Sequence, residues 1–396
     1  MNTRRRVLIA VIPMACLLAA ACSSSGSSST SGSASSSPAS AAATASGSAS
    51  GNANSQALSS ILSPVATEPT NVDVTTPLSK PAPKGIKVVA LDDGLAEESA
   101  YYQGMAAAAK VLGWSFSTQS INDSNLQTVI SGATSAINAG AKAVVMVSEL
   151  QSTIDKVLPL AVQHHAVILD TISSNSAHPG QILAATSGHE FFTQGRYAMA
   201  AILQKAAAAG QVAHIGETFI PQFATALTPE ENGAKQVLAQ YCSQCTMDRI
   251  NISFSDVQSG AYVQDITSYL QTHPDINYIF TQGGNLVQGV IPALKQAGIK
   301  IPVIVGSDPT AASFSDLKAG QAEEWLVVPQ NVLGWAWTDE LARYFTGGDY
   351  NVWNTTAFDP QWLITAQNVS QAGNTNNVEF PADYQSLFEK DWDVSS

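Results

Sequence analysis

Apolar positions in this chain fall into short unbroken runs, separated by longer stretches with helical spacing. The runs at 85–91, 143–147, 166–169 and 182–185 have the length of buried strands. Trp114–Ser120 reads as a further strand. Between these runs, Ser99–Leu112, Asn125–Asn138 and Ser152–His164 read as helices, the first two closing at Gly113 and Gly140. The alternation then repeats. Helices are expected at Phe192–Ala209, Glu230–Gln240, Tyr262–Thr272, Leu286–Ala297 and Val332–Phe345. Strands are expected at Gln211–Ile215, Arg249–Phe254, Ile276–Thr281, Ile301–Val305 and Glu324–Val328. Continuous apolar strands alternating with helices predict parallel sheets covered on both faces. The expected fold class is therefore α/β, with two doubly wound parallel-sheet lobes. Such sheets bind ligands outside the carboxyl ends of their strands, so two facing lobes would share one cleft.

The pattern before residue 85 is different. Arg4-Arg5-Arg6, an apolar stretch from Val7 and the run Leu17-Leu18-Ala19-Ala20-Ala21-Cys22 have the layout of an export signal. The apolar stretch is too short to span a bilayer, which needs about 20 such residues. A cysteine directly after the small residues resembles the signal of a bacterial lipoprotein, although the leucine usual three places earlier stands four places earlier, at Leu18. That resemblance implies a signal peptide at 1–21 and a lipid carried by Cys22. The alternative is an ordinary secretory signal with a chance cysteine. From residue 23 to about 56 the chain is almost entirely Ser, Ala, Gly and Thr. Such a stretch buries too little apolar surface to offset the entropy of ordering it. It should reach on the order of 30 Å as a flexible coil. Residues 57–84 are rich in Pro and Thr and read as an extended lead-in, so a disordered tether is expected over 22–84. No other stretch reads as transmembrane.

Charge narrows the partners. The chain has 18 Lys and Arg against 31 Asp and Glu, a formal net charge of −13, and loss of the signal would remove three of the Arg. A nucleic-acid partner needs a basic face, so it is excluded, and docking on anionic lipid head groups is disfavoured. Membrane contact is expected through the N-terminal lipid alone. After the signal only Arg196, Arg249 and Arg343 remain. Arg is the usual bidentate clamp for carboxylate and phosphate, which argues against an anionic ligand. Cys242 and Cys245 form a C-x-x-C pair. Outside the membrane a local structural disulfide is the expected state, with a redox pair or free thiols as the alternatives. No second C-x-x-C exists to complete a zinc site, and Asp92-Asp93 lacks the oxygen-ligand spacing of an EF-hand, so no metal is expected. No nucleophile elbow, zinc-protease or phosphate-loop motif occurs either. The chain is expected to be no enzyme and to need no cofactor.

Several local runs, in order, carry a resemblance. They are Tyr102-Gln103-Gly104 through Leu112-Gly113-Trp114, Val167-Ile168-Leu169-Asp170, Gln282-Gly283-Gly284-Asn285 followed by Ala293-Leu294-Lys295-Gln296-Ala297-Gly298, and Val305-Gly306-Ser307-Asp308. Over about residues 85–370 the chain resembles the type I periplasmic binding proteins, most closely their ribose-binding branch. The resemblance implies two lobes joined by a hinge that the chain crosses three times. The N-lobe would be 85–187 plus 329–350, and the C-lobe 188–328 plus 351–396. It also implies hinge closure around a small ligand and presentation of the closed face to an ABC permease and its ATPase, with the protein acting as a monomer. The chain departs from the pentose-binding pattern at Thr171, at Thr228-Pro229-Glu230-Glu231 and at Gly283-Gly284. Ribose itself is therefore not the expected ligand.

Asp170 and Asp308 end apolar strands, one in each lobe, where a carboxylate accepts hydroxyl hydrogen bonds or caps the next helix. Asp92 and Asp93 hold the same place after the first strand. Gln282 ends another strand, and Glu190 stands at the first crossing, where it contacts ligand or caps a helix. These six are the expected ligand residues. Tyr101, Tyr102, Trp325 and Trp335 lie near the expected cleft edges and serve as stacking partners or as core. The expected function is a lipid-anchored, extracytoplasmic substrate-binding protein that captures a small sugar or polyol for an ABC importer. Two alternatives keep the fold: a cleft for a cationic, amine-bearing molecule, since its acidic residues lack Arg partners, and a sensory ligand receptor.

Overall fold

Val88, Val89, Ala90 and Leu91 are buried on both faces of one strand, as helices on either side of a parallel sheet require. A computed structural model of the chain describes residues 54–72, 74, 76–123, 125–175, 182–185, 188–321, 323–355, 360–372 and 378–394. The expected signal peptide, Cys22 and the tether up to residue 53 lie outside the described residues. Helix α1 covers residues 54–62. Then come β1 (Lys87–Asp92), α2 (Ala96–Leu112), β2 (Ser115–Ser120), α3 (Leu126–Asn138), β3 (Ala143–Val147), α4 (Gln151–Gln163), β4 (Val167–Thr171) and β5 (Ile182–Ala185). Their strands form a parallel sheet in the order β2-β1-β3-β4-β5.

The second half runs α5 (Gly188–Ala208), β6 (His214–Phe219), α6 (Ala224–Tyr241), β7 (Thr246–Asn251), α7 (Phe254–Ser259), α8 (Tyr262–Thr272), β8 (Tyr278–Thr281), α9 (Val290–Ala297), β9 (Val303–Ser307), α10 (Ala311–Lys318) and β10 (Glu323–Val327). It is followed by α11 (Gln330–Thr346), α12 (Val352–Thr355), β11 (Trp362–Ile364) and α13 (Tyr384–Asp391). The second sheet has the order β11-β10-β9-β8-β6-β7, parallel except for β11 against β10. Edge strands β2 (Ser-Phe-Ser-Thr-Gln-Ser) and β7 (Thr-Met-Asp-Arg-Ile-Asn) are polar and largely exposed, while the interior strands are apolar. The expected strand Arg249–Phe254 starts and stops earlier, because the Ser253 hydroxyl accepts the Asp256 amide and starts α7.

Each lobe has a core on both faces of its sheet, and in each one helix pair packs backbone to backbone. In the N-lobe, Gly104 of α2 meets Asn331 of α11, and Gly334 of α11 meets Tyr101. In the C-lobe, a Cβ at Gly195 of α5 would lie 2.7 Å from the carbonyl carbon of Glu230, and one at Gly233 of α6 2.8 Å from that of Phe192. Only glycine permits these approaches.

Three expectations change. The lead-in is folded: Leu58, Leu62 and Val65 are buried in one cluster with Ile202 and Ala206 of α5, so the tether ends before residue 54. Leu58, Ile61, Leu62 and Val65 recur at helical spacing, a signal hidden by the surrounding Ser and Pro. Val72 and Val74 then join the N-lobe core, and Arg343 donates to the Thr76 carbonyl at 2.7 Å. The C-terminal segment is shared between lobes. Residues around β11, with Val369 and Phe380, join the C-lobe core, but Trp353, Tyr384, Phe388 and Trp392 pack in the N-lobe. The reason lies on α11, where Trp335 stacks on Trp392 at 5.3 Å and Asp339 accepts the indole N–H groups of Trp353 and Trp392 at 2.7 and 2.6 Å. Finally, the core clusters put the described chain's passages between lobes at five places rather than three: between Val65 and Val72, β5 and α5, β10 and α11, α12 and β11, and Phe380 and Tyr384. No described helix is long and apolar enough to cross a membrane.

Candidate functional site

The carboxyl ends of both sheets open on one cavity of about 160 Å³, similar to a cavity of about 150 Å³ that accepts benzene. The N-lobe supplies Leu95, Glu98 and Tyr101 around the start of α2, Val147 and Ser148 after β3, and Ile172 after β4. The C-lobe supplies Glu190, Phe191 and Gln194 from α5, Phe223, Leu227 and Glu230 around α6, Gln282 and Asn285 after β8, and Ser307 and Asp308 after β9. Leu333 of the N-lobe helix α11 also lines it, and Val328, Pro360 and Gln361 do so from the segments between the lobes. Ser148, Ile172 and Asp308 hold positive φ angles of 56°, 52° and 47°. For a β-branched isoleucine this is costly, and such strain collects at binding sites.

The lobes are closed over the cavity. The Thr225 hydroxyl donates to the Ser148 carbonyl at 3.1 Å, and the Ser174 amide donates to the Thr225 carbonyl at 3.1 Å. Pro229 makes the second bond available. Four residues beyond Thr225 in the same helix, it has no N–H to claim that carbonyl. The expected helix starts at Glu230, just after Pro229. The helix instead starts at Ala224 and carries the proline inside.

Of the six expected residues, the structure brings Glu190, Gln282 and Asp308 to the cavity. The Gln282 amide is already engaged, donating to Glu217 at 3.1 Å and accepting from Thr218 at 3.3 Å. Asp92, Asp93 and Asp170 do not line the cavity. Asp92 accepts the Gly94 amide at 2.9 Å and Asp93 the Leu95 amide at 2.8 Å, so both carboxylates shape the turn into α2. Asp170 is 0% exposed and accepts from the Asn175 side chain at 2.9 Å, because the loop after β4 folds back over it. The same Asn175 amide donates to the Glu149 carbonyl at 2.6 Å. Tyr101 reaches the cavity. Tyr102 instead donates to the Leu91 carbonyl and to Glu98, and Trp325 and Trp335 are core.

Glu98, Ser148, Gln194, Phe223, Glu230 and Asn285 belong to the lining and were not expected. The two glutamates stand in helices, away from the strand ends that draw attention in the sequence. Burial, reinforced by Asp93, raises the Glu98 carboxyl well above the ordinary range. Burial, with Glu217 and Asp308 nearby, does the same for Glu230, which is 1% exposed. Behind the cavity wall, burial pushes Glu217 up to about 9 and Glu149 to about 8, aided by neighbouring carboxyls, and Asp170 to about 7. Arg249 offsets the rise at Glu217 only in part, because its guanidinium forks onto Glu231 at 2.8 and 2.7 Å and lies over the Phe219 ring. Oxygens of Asp92, Asp93 and Glu98 come within 4.8 Å of one another. Asp92 and Asp93 already accept backbone amides there, and Glu98 a tyrosine hydroxyl. Cys242 and Cys245 are joined, with an S–S distance of 1.98 Å, at the end of α6.

The model of a family described as the periplasmic binding protein domain matches residues 98–349. No curated protein matches the chain. Among solved structures, the chain is similar to a carbohydrate transporter from Acidothermus cellulolyticus 11B in complex with myo-inositol, at 18% identity and a TM-score of 0.59, covering 73% of this chain and 96% of that one. It is also similar to an ABC sugar transporter subunit from Rhodobacter sphaeroides 2.4.1, at 19% identity and 0.59, covering 72% and 99%. A glucose-galactose binding protein from Geobacillus stearothermophilus matches at 15% identity and 0.58, again over 72% and 99%. At these identities the likeness is one of fold, a two-lobed type I periplasmic binding protein fold.

Proposed function

The chain belongs to the periplasmic binding protein domain family, and from that premise we propose that it is a lipid-anchored receptor outside the cytoplasmic membrane, capturing a small sugar or polyol for an ABC importer. Like its family, it binds a ligand and carries out no reaction. The observation that carries the reading is the cavity between the carboxyl ends of the two sheets, closed by Thr225 and lined by polar groups from both lobes. Three of the solved relatives are named for carbohydrate or sugar ligands.

In this reading Glu190, Gln282 and Asp308 take ligand hydroxyls, joined by Glu98, Glu230 and Asn285. Tyr101, Phe191 and Phe223 lie against the apolar faces of the ring. The hinge segments let the lobes part to admit the ligand, and the bonds at Thr225 hold them together once it is in. The closed protein, a monomer, presents one face to the permease, whose ATPase drives release. Cys22 carries the lipid, and the tether ends where α1 docks on α5.

Thermal unfolding of the protein with pentoses, hexoses, polyols, nucleosides and polyamines tests the ligand class. A ligand at about 100 times its Kd stabilises by about 2.7 kcal/mol. Stabilisation by a sugar or polyol is the expected result; a response to nucleosides alone would contradict the reading. For the anchor, labelling with radioactive palmitate should be lost in Cys22→Ala.

A further inference from the structure

Among the described residues, four carboxyl side chains line the cavity, Glu98 from the N-lobe and Glu190, Glu230 and Asp308 from the C-lobe, and no Lys, Arg or His joins them. Glu230 is held most tightly. Gly195 of α5 packs against its carbonyl, which fixes that turn of α6 beside Glu190 and Gln194. Its side chain is 1% exposed, and its Oε1 has no hydrogen-bond partner among the described residues. A neutral sugar satisfies one or two carboxylates through its hydroxyl hydrogens. It brings no cation into a space lined by four carboxyls, and a buried carboxyl ionises favourably only when a cation is paired with it. Three aromatic rings, Tyr101, Phe191 and Phe223, share the lining, and ring faces attract cations as well as apolar sugar faces.

We infer that the preferred ligand is an amine-bearing polyol, an amino sugar or aminocyclitol, whose ammonium is received by Glu230 and Asp308 while its hydroxyls meet the remaining polar lining. This rests on the polyol-binding reading above and narrows it. An ammonium supplies three donors and a positive charge, which suits a buried carboxyl with one oxygen lacking a partner.

Calorimetric titration of the full chain with matched pairs tests the inference: glucose against glucosamine, galactose against galactosamine, and scyllo-inositol against scyllo-inosamine. N-acetylglucosamine serves as an uncharged control, and putrescine as an amine without hydroxyls. The expected result is that the amine member of at least one pair binds about tenfold or more tighter than its neutral partner, and that its acetylated form loses the advantage. Glu230→Gln should abolish the preference, the amine member losing affinity by a larger factor than its neutral partner. Asp308→Asn gives a second reading should Glu230→Gln fold poorly. Equal or tighter binding of the neutral members would overturn the inference and leave the polyol reading standing. Binding of putrescine with no member of any pair, or of nothing at all, would overturn both. Retention of the amine preference in both folded variants would also overturn the inference.

Discussion

Replacing Asp170 with Asn separates two roles for this residue, one at the ligand and one beneath the cavity floor. The carboxyl is fully buried, and burial moves it from the ordinary 3.8 up to about 7 against the hydrogen-bonding influence of Ser173 and Asn175. A carboxyl raised in this way gives the folded state its full stability below 3.8 and loses it as the pH climbs through 7. At 1.36 kcal/mol per pH unit the loss comes to about 4 kcal/mol. Asn has the same shape, still accepts from Asn175 and does not titrate. The stability of Asp170→Asn relative to wild type should therefore improve by about 4 kcal/mol between about pH 4 and about pH 8. The other buried carboxyls titrate in both proteins and largely cancel, Glu149 least so because Asp170 acts on it. Urea unfolding followed by tryptophan fluorescence at a series of pH values measures the difference. A difference that stays flat with pH would refute the burial argument. Ligand affinity should stay within about twofold, since Asp170 does not line the cavity; a loss of tenfold or more would return Asp170 to the ligand.

Thr225→Val removes one of the two described bonds between Thr225 and the N-lobe, and should weaken ligand binding by about 0.5–1.5 kcal/mol, up to roughly tenfold in Kd by titration. Pro229→Ala restores an N–H that competes for the Thr225 carbonyl, so it should raise the unfolding temperature and also weaken binding; unchanged Kd would sever the link between this proline and closure. Gly195→Ala places a methyl 2.7 Å from the Glu230 carbonyl carbon and should destabilise by about 1–3 kcal/mol in chemical unfolding while displacing Glu230 and lowering affinity.

The two-lobed α/β architecture was legible because interior strands such as Ala143–Val147 and Ile182–Ala185 are unbroken apolar runs whose limits in the structure match the sequence pattern. Helix ends followed from glycines such as Gly113 and Gly298, both left-handed caps. What the pattern hid was tertiary. The spacing of Leu58, Ile61, Leu62 and Val65 was diluted by polar neighbours, and it acquires meaning only against α5. The return of Trp392 to the N-lobe depends on Trp335 and Asp339, more than fifty residues earlier. At the site, strand ends locate a residue near the cleft but do not say whether a loop covers it. Asp308 reaches the cavity, whereas Asp170, in the same topological position, lies beneath Asn175. Glu98 and Glu230 carry no local signature, since each is a helical glutamate like any other until the lobes close around it.

The central claim is that a small polyhydroxylated molecule sits between the lobes, against side chains from both sheets. A crystal structure of the protein with its tightest ligand from the sugar and polyol panel tests this most directly. The account predicts density for one ring between Glu98 and Tyr101 on one side and Glu230 and Asp308 on the other, with the bond from Thr225 to Ser148 intact. Ligand density on an outer face, with the interlobe cavity filled only by water, would contradict it.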